Sequence, residues 1–254
     1  MVDLNYLMVL LFASCRIFGV LALNPIFGRQ IIPVIVKVGL SLGLALFTAR
    51  GMSDVIVINY TGIAMLVAMI KEFAVGLLLG FVMNLFFSIF HFGGQIIDYQ
   101  LGLAMASMFD PTTNSHISIT GNMLSIFYTM LFFVTDSHLN LMAIAISSYN
   151  LAPLGFAPIN GEISIYIVEL FAYVMIYAVQ LALPWIVTIM VVEVAVGIMM
   201  KVVPNINVFV VNIQLKVICG LVILITIVPV LVRFMAQING IMMQRLNEVL
   251  TMMV

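Results

Sequence analysis

Ionisable residues are few in this sequence, and several of them stand inside long apolar runs. Asp98 lies within the stretch FGGQIIDYQLGLAMASMFDP, and Lys71 and Glu72 interrupt the apolar run before it. A charge surrounded by hydrocarbon is costly, so such side chains face protein or water. Asp98 has two interpretations: it tunes the passage of protons or substrate, or it accepts hydrogen bonds from a neighbouring helix. The structural role is favoured, because no second carboxylate shares its helical stripe to form a relay.

The residues around Asp98 predict a packed helix. A helix that continued to Phe109 would place six residues on one stripe, at about 100° per residue: His91, Gly94, Asp98, Gly102, Met105 and Phe109. Glycines on such a stripe allow another backbone to come close. The predicted packing positions of this motif are Gly93, Gly94, Asp98, Gln100 and Gly102. Two further glycine pairs, Gly39-x-x-x-Gly43 and Gly76-x-x-x-Gly80, favour close helix packing in the same way.

Catalytic and metal-binding patterns are not recognisable in the sequence. It contains no GxSxG, HExxH or P-loop motif, and no GxGxxG that follows a strand. His91, His116 and His138 are too dispersed for a metal site, and Cys15 and Cys219 lie in apolar runs without a CxxC pair. We therefore predict no catalytic residue, no cofactor, no metal and no enzymatic activity.

The amino-acid composition predicts a membrane protein. Of 254 residues, 65% are hydrophobic and only 7% are charged, whereas about 25% are charged in an ordinary soluble protein. The formal net charge is -1, and the nine basic residues are scattered along the chain. This balance argues against a nucleic-acid partner and in favour of contact with lipid.

The chain reads as apolar helical segments that are separated by short polar breaks. The predicted segments are Leu4–Leu23, Val38–Ala49, Ile63–Phe92, Ile119–Thr135, a short one that ends at Ser148, Glu169–Lys201 and Val208–Arg233. The last two form a helical hairpin with Pro204 at its bend. An amphipathic tail, residues 237–253, is expected to lie along an interface or another protein.

Charges interrupt these segments in a way that a lone membrane protein would tolerate poorly. Arg16 divides the first segment, and Lys216 and Arg233 enclose only sixteen residues, fewer than the roughly 20 that cross a bilayer. The fold predicted from this pattern is all-α. It is a membrane-associated bundle of long, partly broken helices and helical hairpins, built to pack in a complex of several subunits. The candidates for contacts with other subunits are Arg16, Lys71, Glu72, Glu193, Lys201, Pro204, Asn207, Phe209 and Lys216.

Five blocks of the sequence carry a resemblance to a known family. In order they are NPIFGRQIIPVIVKVGLSLGL, KEFAVGLLLGF, GGQIIDYQLGLAMASMFDP, FFVTDSHL and ALPWIVTIMVVEVAVGIMMKVVPNINVFVVNIQLKVICG. Together they resemble the R subunit of the bacterial flagellar export gate, the FliR family, which is similar to the T subunit of virulence type III secretion systems. The blocks around Asp98 and around Pro204, Asn207 and Phe209 are the most specific.

The resemblance implies a place in the bacterial inner membrane, within the flagellar basal body. The implied partners are the P and Q subunits of the gate, the B-type switch subunit, the A-type export subunit and the unfolded proteins that are exported. It also implies that residues 1–150 are similar to a P subunit and residues 151–254 to a Q-type hairpin. A loop near residues 105–118 is expected to plug the closed channel, through Met105, Met108, Phe109, Asp110, Pro111, Thr112, Thr113 and Asn114.

Three further functions remain open on the sequence alone. A secondary transporter for a small solute could use Glu72, Asp98 and Glu193 as ion-coupling groups. It would require corresponding broken helices in the two halves of the chain, and no such repeat is detectable. The chain could also be a structural membrane scaffold, or a subunit of a virulence secretion system.

Overall fold

The structure is a computed structural model that describes residues 4–29, 31–51, 62–103, 118–152, 154, 161–203 and 208–253. Within these ranges the regular elements are helices, which confirms the predicted all-α class. They are α1 (Leu4–Leu23), α2 (Val34–Gly51), α3 (Ile63–Leu101), α4 (Ile119–Val134), α5 (Ser137–Leu151), α6 (Gly161–Val202) and α7 (Val208–Thr251).

Polar residues and glycine explain where two of the helices end. After α1, the side-chain oxygen of Asn24 accepts hydrogen bonds from the backbone nitrogens of Ile26 and Phe27, at 2.8 and 3.1 Å. This local turn competes with a further helical turn. α3 ends at Leu101 because Gly102 adopts a φ of +77°, which glycine reaches without a steric cost.

The end of α3 corrects one expectation. A helix that continued to Phe109 is wrong at its first step, because the left-handed backbone of Gly102 turns the chain away from the helix axis. The stripe from His91 through Gly94 to Asp98 lies within α3. Met105 and Phe109 lie outside the described residues.

The C-terminal tail also differs from its expectation. It is the end of α7, which runs for 44 residues without a break. Its apolar side chains Met242, Leu246, Val249 and Leu250 are buried within the chain. The tail therefore packs on its own protein, and the prediction that this apolar face lies along an interface or another protein is wrong.

The chain forms two compact units. One comprises Met1–Phe86, Phe132–Phe171 and Asn239–Val254, and the other comprises Phe87–Leu131 and Ala172–Ile238. The core of the first unit includes Val9, Phe12, Ala13, Ile17, Leu21, Ala45, Ala49, Ala68, Tyr149 and Leu154. In the second unit, Tyr128 packs against the rings of Phe87 and Phe90, with centroids 4.6 and 4.1 Å away. The predicted division between residues 150 and 151 concerns likeness to other subunits and stays a prediction.

Glycines set the crossing of α1 and α3. A Cβ added at Gly19 would overlap the backbone of α3, and one added at Gly76 would overlap the carbonyl group of Arg16. These positions bring the two helices into backbone contact, as small residues do in membrane proteins. Gly39 and Gly43 have the same spacing, but no atom lies within 4 Å of a Cβ built at either position. Of the two predicted glycine pairs, the one that contains Gly76 therefore makes a close contact within the chain.

Several of the described helices are long and apolar enough to cross a membrane. By length and composition there are four: Asn5–Leu23, Ile63–Leu101, Gly161–Val202 and Val210–Thr251. A fifth span would be the pair α4 and α5, which is bent by 71° at the polar break between the two helices.

We expect the same substitution to have opposite effects at two glycines. Gly76→Ala forces α1 and α3 apart and should lower the free energy of unfolding by about 1–3 kcal/mol, as overpacking does. Gly39→Ala meets no neighbour and should leave stability unchanged or raise it by up to about 1 kcal/mol, since alanine favours a helix over glycine. Thermal unfolding of the purified protein in detergent measures both. Equal destabilisation by the two variants would contradict the close crossing.

Candidate functional site

Arg16 and Glu72 form an ion pair in the interior of the chain. Arg16 comes from the middle of α1, and its Nε donates a hydrogen bond of 2.7 Å to Oε2 of Glu72 on α3. The two side chains are 1% and 0% exposed. The pair lies one helical turn from Gly76, so the glycine crossing brings the helices close enough for the contact. A buried charge needs such a partner, because isolation in an apolar interior is very costly.

The remaining donors of Arg16 bind α5 and the residue after it. Nη1 donates to the hydroxyl of Ser148 at 3.1 Å, and Nη2 donates to the carbonyl oxygen of Ala152 at 2.9 Å. The guanidinium carbon also lies 4.6 Å from the ring centroid of Tyr149, which is a cation–π distance. One side chain thus links three helices of the first unit.

These contacts correct the interpretation of Arg16 and Glu72. Arg16 was expected to meet another subunit, and Glu72 another segment or subunit, but the two are buried and bonded to one another inside the chain. The physical reason is that a charge inside apolar helices is tolerated only beside a counter-charge and with its hydrogen bonds made, and the fold brings Glu72 within reach of Arg16. Lys71 follows a different pattern: its side chain is exposed on α3, and its contact with another subunit stays a prediction.

Asp98 binds the N-terminus of α4. Its Oδ2 accepts a hydrogen bond from the Ser118 hydroxyl at 2.6 Å and one from the backbone nitrogen of Thr120 at 3.2 Å. The Ser118 hydroxyl in turn accepts from the backbone nitrogen of Gly121 at 2.9 Å. A carboxylate and a serine therefore satisfy the free N–H groups at the start of this helix, where a negative charge is also favourable. These contacts agree with the structural interpretation of Asp98, in which it accepts hydrogen bonds from a neighbouring helix.

The predicted packing glycines have two different roles. A Cβ at Gly94 would overlap the backbone of Gly121, and one at Gly93 would lie 3.0 Å from the carbonyl oxygen of Ala178. Both therefore allow close packing within the second unit. Among the described residues, no atom lies within 4 Å of a Cβ built at Gly102, and its role is the positive φ that ends α3. Gln100 is half-buried in the last turn of α3.

The Asp98–Ser118 hydrogen bond joins the two helices on either side of the candidate plug. It joins the last turns of α3 to the residue that precedes α4, and so brings together the two ends of the connecting segment. The candidate plug residues themselves lie outside the described residues: Met105, Met108, Phe109, Asp110, Pro111, Thr112, Thr113 and Asn114.

The charges of the α6–α7 hairpin are partly exposed. Nζ of Lys216 donates to Oε1 of Glu193, and the two side chains are 14% and 50% exposed. Glu193 and Lys216 were expected to form buried ion pairs with other subunits. They form instead a partly exposed ion pair with one another, within the chain. Such pairs contribute at most about 1 kcal/mol. Lys201 is exposed.

Most of the loop between α6 and α7 lies outside the described residues. Pro204 and Asn207 lie outside the described residues, as does the side chain of Phe209. Their contacts with other subunits stay predictions.

Sequence reasoning missed two polar contacts that α7 makes in the first unit. Asn239 donates to the hydroxyl of Ser137 at 2.6 Å. Near the end of α7, Glu248 accepts from the Tyr166 hydroxyl at 2.6 Å and from Nη1 of Arg245 at 2.7 Å. The signal for the second contact was the polar side of the tail, to which sequence reasoning gave no partner within the chain.

Comparison with known proteins identifies the family. The model of the family described as bacterial export proteins, family 1, matches residues 7–241. The chain belongs to this family. The match includes every residue that contacts Arg16 and Asp98, and it extends from α1 to the last turns of α7.

Relatives of the chain include flagellar biosynthetic proteins and a translocation protein. The flagellar biosynthetic protein FliR of Pectobacterium carotovorum is 26% identical over 238 residues, 93% of this chain and 90% of that protein. FliR of Bacillus subtilis is 26% identical over 243 residues, 93% and 92% of the two chains. The Yop proteins translocation protein T of Yersinia pestis is 26% identical over 204 residues, 79% and 78% of the two chains.

We expect Arg16 and Glu72 to depend on one another. Arg16→Met leaves the Glu72 carboxylate buried without its counter-charge and should cost about 3–5 kcal/mol of folding free energy. The double variant with Glu72→Leu removes both charges and should recover most of that loss. Thermal unfolding in detergent measures the two costs, and Lys71→Met, at an exposed position of the same helix, is the control. Additive losses in the double variant would contradict the pair.

Asp98 is expected to control the start of α4. Asp98→Leu leaves the Thr120 N–H and the Ser118 hydroxyl without their acceptor and should cost about 1–3 kcal/mol. Hydrogen exchange at the amides of Thr120 and Gly121 should speed up, while exchange in α5 should not change. Glu193→Gln is the matched control, because it removes a half-exposed carboxylate. Unchanged exchange at Thr120 would show that Asp98 does not cap this helix.

Proposed function

We propose that this chain is a subunit of the flagellar type III protein export gate in the bacterial inner membrane, within the flagellar basal body. It would help to form and seal the channel through which unfolded flagellar proteins cross that membrane. The observation that carries the proposal is the family match over residues 7–241. Relatives that are named for flagellar biosynthesis align with about nine-tenths of the chain, which supports the flagellar system.

The outer surface of the hairpin supports membership of a complex. α7 has the most apolar span, yet only 11% of its most apolar window is buried. Glu169 on α6 and Arg233 on α7 are exposed among apolar neighbours. Charges in these positions would be costly against lipid, so other protein chains or water would cover them. The P, Q, A-type and B-type subunits of the gate are the proposed partners.

The organisation of the chain fits two subunit-like parts. Residues 1–150 would correspond to a P-type chain, and the α6–α7 hairpin, within residues 151–254, to a Q-type chain. α5 ends at Leu151 and α6 begins at Gly161, so the proposed boundary falls at the end of one helix and before the next.

The segment between α3 and α4 is the proposed plug. An export channel must pass unfolded chains of many sequences without leaking ions, which favours a soft apolar seal. Met105, Met108 and Phe109 provide one, since methionine side chains are flexible and an apolar constriction resists wetting. The Asp98–Ser118 contact supports this role, because it holds together the two helix ends between which the segment lies.

A virulence secretion system is the second candidate. The similarity to the Yop proteins translocation protein T of Yersinia pestis favours it. Production of the chain in a flagellated strain that lacks its own R subunit separates the two. Restored motility supports the flagellar system, whereas restored secretion in an injectisome mutant alone supports the virulence system.

Removal of the apolar plug residues should make the closed gate leak. We expect the triple variant Met105→Ser, Met108→Ser and Phe109→Ser to assemble with its partners but to lower the membrane potential of cells, because a polar constriction becomes wet. A potential-sensitive dye measures the leak, and co-purification of partner subunits measures assembly.

The control for this experiment removes methionine elsewhere. Met130→Ser and Met252→Ser change exposed methionines and should leave the potential unchanged. An intact potential in the triple variant, with normal assembly, would overturn the plug. A chain that purifies alone as a stable monomer would overturn the gate.

A further inference from the structure

The bend between α4 and α5 is a strained point of the chain. The two helices form a broken span with an angle of 71°. Asp136, between them, has φ 53° and ψ 23°, a left-handed backbone, and its side chain makes no capping hydrogen bond. Aspartate adopts this conformation more readily than most residues other than glycine, but at a cost that its surroundings must offset. Hydrogen bonds within the bend, from the N–H of Asp136 to Phe133 and from the N–H of Leu139 to Asp136, contribute, and contacts from outside α4 and α5 add to them.

Those contacts come from α7. Nδ2 of Asn239 donates to the Ser137 hydroxyl at 2.6 Å and to the Thr135 hydroxyl at 3.4 Å, and the two hydroxyl oxygens lie 2.8 Å apart. Ser137 is 1% exposed and Asn239 is 7% exposed. We call these three residues the bend latch. Since two of them flank Asp136, the latch holds the chain directly on both sides of the strained residue.

The bend latch is only partly satisfied. The side-chain oxygen of Asn239 is buried without a hydrogen-bond partner in the described part of the chain, and so is Nδ1 of the adjacent His138. Buried polar atoms are normally paired, and a partly satisfied network holds its arrangement less firmly than a complete one. The latch therefore holds the bend with less energy than the fully bonded Arg16 cluster holds its helices.

Beside α5 there is unoccupied space. A cavity of the first unit lies between one face of α5, formed by Leu141, Met142, Ala145 and Ile146, and the facing residues Ile17 of α1 and Leu44 of α2. Protein interiors usually contain few voids of this kind. Most of the side chains that line the cavity are apolar, and the polar ones are Thr48 of α2 and His138 in the first turn of α5.

We propose that α5 is the movable element of this chain: the bend latch holds it in the observed position, and release of the latch lets it move into the cavity. The link to export rests on the proposed function. α4 connects the bend to Ser118 and Asp98, beside the candidate plug. Its 16 residues form a continuous helix of about 24 Å, through which a change at the bend would be carried to Ser118.

Two substitutions should move α5 in opposite directions. Asn239→Leu removes the donor of the latch at nearly constant volume and should raise the population of the moved state about two- to tenfold, as the loss of one hydrogen bond does. Ala145→Leu fills the cavity and should abolish that state. The matched controls are Asn247→Leu on the exposed side of α7, where the amide bonds only its own helix, and Ala143→Leu on the exposed side of α5.

The movement is measured as a distance. Spin labels at Phe127 of α4 and Leu151 of α5, both exposed, report the angle of the bend in the assembled complex. Cys15 and Cys219 are replaced by serine so that only the introduced cysteines react. Asn239→Leu should add or enlarge a second distance population, Ala145→Leu should leave one narrow population, and the controls should match the parent protein.

The outcomes separate this inference from the function on which it rests. Identical distance distributions in Asn239→Leu, Ala145→Leu and the parent would overturn the movable α5, whether or not the complex exports protein. A shift in distance without any change in membrane potential or export would overturn the link to the plug. If Asn239→Leu fails to assemble, Ser137→Ala, which removes the acceptor instead, decides the same question. An intact potential in the triple plug variant would count against the proposed function alone.

Discussion

The buried pair of Arg16 and Glu72 is the interaction on which the first unit depends. An arginine in the middle of an apolar helix can remain charged only if a carboxylate and further acceptors surround it. Glu72, Ser148 and Ala152 supply them, which brings α3 and α5 to α1 at one depth. The close crossing at Gly76 makes the 2.7 Å contact possible. Charge and glycine therefore specify one register of the helices, which apolar contacts alone would leave loosely defined.

The same rule separates the charges that shape the chain from those that meet its surroundings. Asp98 is 5% exposed and is satisfied by the start of α4, as Arg16 is satisfied by Glu72. Glu169 and Arg233, by contrast, are exposed on long apolar helices. A charge that the chain itself satisfies contributes to the fold. A charge that the chain leaves exposed at an apolar surface requires water or another protein there.

Sequence patterns predicted the helices well and the contacts between them poorly. Composition and apolar runs were sufficient for the all-α class and for the bounds of α1, Leu4–Leu23. The pairing of Arg16 with Glu72, 56 residues apart, left no trace in a periodic pattern, so Arg16 was assigned to another subunit and Glu72 to another segment or subunit. Gly102 fits a helical stripe as well as any small residue does, and nothing in the stripe reveals that its φ is positive. Local periodicity shows which side chains share a face of a helix. It does not show which residues from distant parts of the sequence they contact, because that depends on the fold.

A gate must combine rigid parts with a part that can move, and the distribution of polar contacts in this chain is suited to both. The Arg16 cluster joins α1, α3 and α5 through a charged pair and three hydrogen-bonded donors at distances of 2.7–3.1 Å. The bend latch holds a strained residue through neutral groups and leaves the oxygen of Asn239 unpaired. Regions of a protein open locally in the order of their stability. The bend at Asp136 should therefore yield before the glycine crossing does, and α5 would then pivot about its last turn, where Ser148 remains attached to Arg16, while its first turn moves.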